Sequence, residues 1–202
     1  MKKNLLLVFV AVCFLFAGCS KKEGVVPLDK SKIDEAVQFG KDNVALTETE
    51  FIEPWTKSSG GYAKGGGVVT VVTPFLRIAL LSKKHSNAGS KLSDKMFKEL
   101  LMKEAEILNF EVTLYGDEYS FARNIDYILV CNDKEYKPIA QFMPSYSDMG
   151  RDYTCIAKGW VKFDKKDIPD DSIVNLKVKF KTNLKNKDFE NLSFNFNLKD
   201  YK

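Results

Sequence analysis

The chain has 202 residues, of which 45% are apolar, 29% charged and 12% aromatic. That balance excludes disordered and collagen-like classes and fits a globular protein. A formal net charge of +4 is too small to argue for a nucleic-acid binder. With His85 as the single histidine, neither a multi-histidine metal site nor a pair of catalytic histidines is available.

Residues 1–18 read MKKNLLLVFVAVCFLFAG. Lys2 and Lys3 form a basic start, the apolar stretch from Leu5 to Phe16 is too short for an ordinary membrane span, and small residues follow. This is the organisation of a secretory signal peptide. Phe16-Ala17-Gly18-Cys19 resembles the bacterial lipobox, with Phe16 where that pattern prefers Leu. The resemblance implies a diacylglyceryl thioether at Cys19, cleavage before it, and acylation of the new amine by a palmitate-like chain. Cleavage leaves 184 residues with a charge near +2. Each buried methylene contributes about 0.8 kcal/mol, so two or more chains anchor stably. The expectation is a lipoprotein of the cell envelope, held on a membrane without spanning it. Ser20, where inner-membrane retention in enteric bacteria uses Asp, implies the outer membrane if the organism has one. Ser20 to Leu28 is polar, contains Pro27, and reads as a tether reaching at most about 30 Å.

Residues 29–202 are long enough for one domain burying about 70% of its unfolded surface. Asp29 to Asn43 reads as a helix, with Ser31 and Asp34 as a capping pair and Ile33, Ala36 and Val37 on one face. Ser58 to Gly67 holds five glycines and reads as a loop. It is no phosphate loop, because no Gly-Lys-Ser/Thr follows. Val68 to Leu81 is apolar and rich in β-branched residues, which predicts a strand with Pro74 at an edge or bend. Leu92 to Glu106 predicts the best helix, capped by Ser93, with Met96, Phe97, Leu100 and Leu101 as a core stripe.

Beyond this helix the apolar period becomes two. Phe110, Val112 and Leu114 begin it, and Ile125 to Cys131 follows. Asn132-Asp133-Lys134 reads as a turn, after which Lys137 to Met143 returns. Tyr153 to Phe163, Val174 to Phe180 and Leu192 to Leu198 complete the set. Strands wet on one face and buried on the other belong to antiparallel sheets. The predicted fold is mainly β: an immunoglobulin-like antiparallel β-sandwich of about seven strands, with two accessory helices at an end or edge.

Five stretches carry a resemblance over most of residues 29–202: Ala36 to Lys41, Val72 to Arg77, Phe110 to Gly116, Ser120-Phe121-Ala122 and the terminal FNFNLKDYK. Together they are similar to a family of uncharacterised bacterial envelope lipoproteins. The resemblance implies envelope placement and brings no activity with it.

Few residues in the body are candidates for chemistry. Cys131 and Cys155 are the cysteines left once Cys13 and Cys19 are accounted for. A disulfide between them would close a loop of about 25 residues and stabilise by roughly 3 kcal/mol. The alternative is two unpaired core thiols. No Cys-x-x-Cys spacing suggests redox activity. Among 31 cationic side chains only Arg77, Arg123 and Arg151 are arginine, so each marks a place where a planar guanidinium matters. Arg77, inside an apolar run, calls for a carboxylate partner such as Asp117 or Asp126, with an anionic ligand as the alternative.

Strict alternation puts Trp160 outward with Lys158 and Lys162, available to a sugar ring or a partner. A bulge at Gly159 would turn it into the core instead. Trp55 reads as a lid on the sandwich. Tyr146 and Tyr153 flank a Ser/Asp/Gly loop and are candidate ligand contacts. Asp164, Asp167, Asp170 and Asp171 share one turn without the ordered spacing of a calcium loop. His85 falls in a polar loop, and no activated-serine motif accompanies it. Asn191-Leu192-Ser193 matches a glycosylation sequon, which carries little weight in a bacterial protein.

The reading that results is a non-enzymatic, lipid-anchored binding or scaffold module without a cofactor or metal. Its expected partners are the membrane, through the lipid, and an envelope protein or saccharide. The alternatives are a lipoprotein binding a saccharide or cell-wall fragment through Trp160 and the tyrosines, and an envelope hydrolase. The hydrolase would need two carboxylates about 5 to 9 Å apart, and no pair is identifiable from sequence.

Overall fold

In the computed structural model, which describes residues 29–60, 62–89, 97, 101, 106–150, 153–181 and 189–201, the alternating segments form two antiparallel sheets. The leader, Cys19, the tether, Arg151 and most of the helix expected over Leu92–Glu106 lie outside the described residues. Phe97 and Leu101 of that helix are described, are helical, and pack on the core.

In chain order the helices are α1 (Lys30–Asp42), α2 (Glu48–Ile52) and α3 (Pro74–Asn87). The strands are β1 (Thr56–Ser59), β2 (Gly67–Val72), β3 (Ile107–Gly116), β4 (Asp126–Cys131), β5 (Lys134–Tyr136), β6 (Ala140–Phe142), β7 (Asp148–Met149), β8 (Cys155–Asp164), β9 (Ile173–Lys181) and β10 (Phe189–Asn197). The first sheet runs β1-β2-β3-β8-β6, with β7 also on β8, and the second runs β10-β9-β4-β5. The inner faces meet in one core. Phe110 of the first sheet lies 5.3 Å from Phe196 of the second and 6.0 Å from Phe163, ring centre to ring centre. Phe121, Phe180 and Phe194 are fully buried with them. Each such side chain contributes about 1.5–3 kcal/mol by leaving water. This is a β-sandwich with helices, as expected.

Several boundaries differ from expectation, each for a local reason. The apolar run from Val68 stops being a strand at Val72, and Pro74 opens α3 rather than bending a strand. Thr73 caps that helix, its hydroxyl accepting from Leu76 N at 3.2 Å, and proline suits the first helical position because no N–H is needed there. His85 therefore stands in the last turn of α3, not in a loop. Of the Ser58–Gly67 stretch, Ser58 and Ser59 end β1 and Gly67 opens β2, with Ser59 opposite Gly67, so the connection of this hairpin is shorter than expected. Asp29, not Ser31, caps α1, accepting from Lys32 N at 2.8 Å.

Asn132 and Asp133 do form the turn, both at positive φ (49° and 61°), which suits a two-residue hairpin. The strand that returns from it is β5. Lys137 to Met143 instead crosses to the first sheet, where Ala140–Phe142 pairs with β8.

The sandwich has two distinct ends. Val72, Ile107 and Asp164 mark the helical end, from which α3 leaves with α1 packed on it. There Trp55 is 7% exposed and stacks on Phe75 at 6.1 Å, with Phe39 at 5.8 Å, covering that end as a lid. Gly67, Gly116 and Cys155 mark the opposite, loop end. No helix among the described residues is long and apolar enough to cross a membrane.

Candidate functional site

Three segments meet at the loop end: the β3–β4 connection (117–125), the approach to β7 (144–147) and the β7–β8 turn, described at Gly150, Tyr153 and Thr154. Phe121 is their foundation. It is fully buried, packs on Phe180 at 5.5 Å, and fills the space over Gly116, where a Cβ would stand 2.2 Å from its ring. Above this plug the Tyr119 carbonyl accepts from Ser147 twice, from its N–H at 3.0 Å and its hydroxyl at 3.2 Å. Two segments far apart in sequence are thereby strapped together.

The strap presents a row of large side chains to solvent. Tyr146 is 64% exposed, Tyr119 49% and Met149 48%. They are held rather than loose. The Tyr119 hydroxyl lies 3.6 Å from Met149 Sδ, and Arg123 Nη2 donates to the Tyr146 hydroxyl at 2.8 Å with its guanidinium over the ring. Tyr153 is 77% exposed and takes a positive φ of 55°, a rare conformation for a bulky residue. Its turn is closed by Gly150 N donating to the Thr154 carbonyl at 2.8 Å. Beside this end, exposed Tyr62 meets the edge of Tyr115, whose phenol is pushed up by burial and by its neighbour.

Tyr146 and Tyr153 were legible as candidates in sequence; Tyr119, Met149 and the role of Arg123 were not. Tyr119 and Met149 sit in non-periodic segments, and only the scarcity of arginine pointed toward Arg123.

Arg77, on α3, and Trp160, on the outer face of the first sheet, lie elsewhere. Arg77 Nη1 is 4.0 Å from Glu111 Oε1, so a carboxylate it meets among the described residues is Glu111, where Asp117 or Asp126 was expected. Glu111 is in turn the register partner of Trp160. The β3–β8 ladder runs unbroken from Ile107 opposite Asp164 to Gly116 opposite Cys155, so Gly159 makes no bulge and Trp160 faces outward. The indole is half-buried nonetheless, stacked on Phe142 at 6.3 Å with Lys162 Nζ 5.0 Å from its centre. Gly159 serves the edge strand instead: a Cβ there would stand 2.1 Å from the Phe142 carbonyl oxygen.

Cys131 and Cys155 are both buried and both unpaired, which corrects the disulfide alternative. Cys131 ends β4 beside Val174, whose partner on β10 is Phe196, while Cys155 starts β8 beside Gly116 under Phe121. They occupy different sheets and opposite ends. In the aspartate turn, Lys134 reaches Asp167 at 3.3 Å, Lys165 pairs with Asp170, and Asp164 accepts from Lys166 N.

No known protein family and no curated protein matches the sequence. A solved structure of a novel protein of unknown function from Burkholderia pseudomallei K96243 overlays with a TM-score of 0.37 at 8% identity, covering 81% of this chain and 88% of that one. That likeness is too distant to assign a role.

Proposed function

We propose that the chain is a lipid-anchored, non-enzymatic binding module of the cell envelope, and that its loop end engages a partner protein. The observation that carries this reading is the exposed row of Tyr119, Tyr146, Met149 and Tyr153 on strapped loops. Tyrosine, methionine and arginine are the side chains enriched at protein interfaces, and rigid tyrosines give contact area at low entropic cost. Anchoring rests on the resemblance of residues 16–19 to the lipobox, which implies acyl chains on Cys19, and Ser20 favours the outer membrane if the organism has one. The similarity to envelope lipoproteins agrees with it.

An immunoglobulin-like topology is part of the same proposal. If β2, β3, β8 and β6 are labelled A, B, E and D, and β10, β9, β4 and β5 are labelled G, F, C and C′, the observed order follows that of such sandwiches. The loop end then carries the B–C connection, at the end that binds in antibody variable domains. This support is analogy of fold. Saccharide stacking on Trp160 is less well supported, because Phe142 and Lys162 already occupy its ring.

The test places a photo-crosslinking residue at Tyr146 or Tyr153 in the full chain, expressed in its native envelope, with Lys158 as the control position. One discrete cross-linked species from the loop positions, absent from the control, is expected. Adducts at all three positions alike, or none, would overturn the reading. Mass spectrometry of the same material should find the leader removed and a diacylglyceryl thioether at Cys19.

A further inference from the structure

The outer face of the second sheet carries a groove of about 670 Å³ that has no part in the loop-end reading. It exists because β5 is short. β5 pairs with β4 only from Leu129 to Cys131, and the chain then leaves through Lys137-Pro138 for the first sheet. The edge of β4 from Ile125 to Ile128 is left facing a gap, with Lys137, Pro138 and Gln141 on its far side. Across the floor run two rows of outward side chains, perpendicular to the strands. Asn191, Lys179 and Asp126 form one, and Ser193, Lys177 and Ile128 the next.

We infer that this groove binds an acidic saccharide, a sugar chain bearing carboxylate or phosphate groups, laid across β4, β9 and β10. The volume falls in the range of small-molecule sites, roughly 300–1,000 Å³. Among the described lining residues three lysines stand against one aspartate. Their ammonium groups, on flexible stems, suit carboxylate and phosphate alike. Asn191, Ser193 and Gln141 both donate and accept, as ring hydroxyls require. Ile128 and Pro138 offer apolar surface to the C–H face of a ring. The orientation of the rows also distinguishes ligands. A peptide extending along the β4 edge would meet one residue of each row, whereas a chain lying across the strands meets each row along its length.

The experiment is an NMR titration of the isotope-labelled full chain with four probes of similar size: oligogalacturonate, a phosphorylated malto-oligosaccharide, a neutral malto-oligosaccharide and an oligonucleotide. Saturable shifts at the amides of 126–128, 177–179 and 191–193 with either acidic saccharide support the site. Response to the first alone assigns a uronic-acid chain, and response to the second alone a phosphate-bearing one. The double variant Lys137→Gln, Lys177→Gln should weaken binding by about tenfold or more with its thermal melt unchanged, while Lys158→Gln on the other sheet should leave affinity as it was. Absence of saturable shifts with both acidic probes overturns the inference. So does equal binding of the neutral sugar, or of the oligonucleotide, which would make the face a general polyanion surface.

Discussion

Gly40 of α1 and Ala79 of α3 approach so closely that a Cβ on Gly40 would stand 2.3 Å from the Ala79 carbonyl oxygen and 2.7 Å from the Ser82 Cβ. The same crossing lets the Ser82 hydroxyl donate to the Val37 carbonyl at 2.8 Å. Alanine in place of Gly40 gains about 1 kcal/mol of helix propensity. It also drives a methyl group into a backbone oxygen that cannot rotate away, and overpacking of this kind costs about 1–3 kcal/mol. Gly40→Ala should therefore lower stability by up to about 2 kcal/mol net, read as a lower urea midpoint at constant slope. A higher midpoint would mean that the helices part at no cost and that the crossing is not tight.

Tyr127 is a case where removing a polar atom should help. Its hydroxyl is buried and has no hydrogen-bond partner among the described residues, and burial pushes the phenol well above its ordinary 10.0. An unsatisfied buried hydroxyl costs about 1–3 kcal/mol, so Tyr127→Phe should stabilise by about 1 kcal/mol at neutral pH. The alkaline behaviour follows from linkage. A native phenol that holds its proton above the unfolded value contributes fully below pH 10 and loses that contribution as pH rises beyond it. The advantage of the Phe variant should accordingly widen above pH 10. A gap that stays constant there would place water or a partner at the hydroxyl.

What the sequence made legible depended on how many faces of an element are wet. Val174 to Phe180 and Leu192 to Leu198 alternate cleanly because only one side is buried, and both are strands whose ends fall within three residues of expectation. β2 is different: Val69, Thr70, Val71 and Val72 are all buried. With both faces covered, the apolar run carries no period to mark where the strand stops. Pro74 is compatible with an edge strand and with a helix start, and the deciding signal was the hydroxyl of Thr73 just before it. Lys137 to Met143 shows another limit, since nothing in a three-residue strand says which sheet it joins. The loop-end row depends on Tyr119 meeting Met149, thirty positions away, an encounter that no local pattern encodes.

The two tryptophans should separate cleanly by fluorescence. Trp55 is 7% exposed among Phe39 and Phe75, whereas Trp160 lies half-buried on the outside of the first sheet. A Trp160→Phe protein, left with Trp55, should emit at shorter wavelength and resist acrylamide. A Trp55→Phe protein should emit at longer wavelength and be quenched more readily. In that second background Gly159→Ala should increase quenching further and cost about 1–3 kcal/mol, because the added methyl pushes the Phe142 carbonyl and its edge strand off β8. Equal quenching of both single-tryptophan proteins would return Trp160 to the core.

The cap of α2 gives an acid-dependent prediction with a definite sign. The Glu50 carboxylate accepts from Thr47 N and from the Thr47 hydroxyl, both at 2.8 Å, while that hydroxyl accepts in return from Glu50 N at 3.3 Å. The backbone hydrogen bond from Thr47 is the main cause holding the carboxyl below its ordinary 4.5. A depressed native value means that the contribution is complete above 4.5 and disappears as pH falls through the lower, native one. The difference in Tm between wild type and Glu50→Ala should thus be constant down to about pH 5 and then close as acid protonates the carboxylate. Salt should do little to it at neutral pH, since the hydrogen bonds outrank the attraction of Lys83. A difference that survives undiminished in strong acid would show that the ionised carboxylate of the cap is not its source.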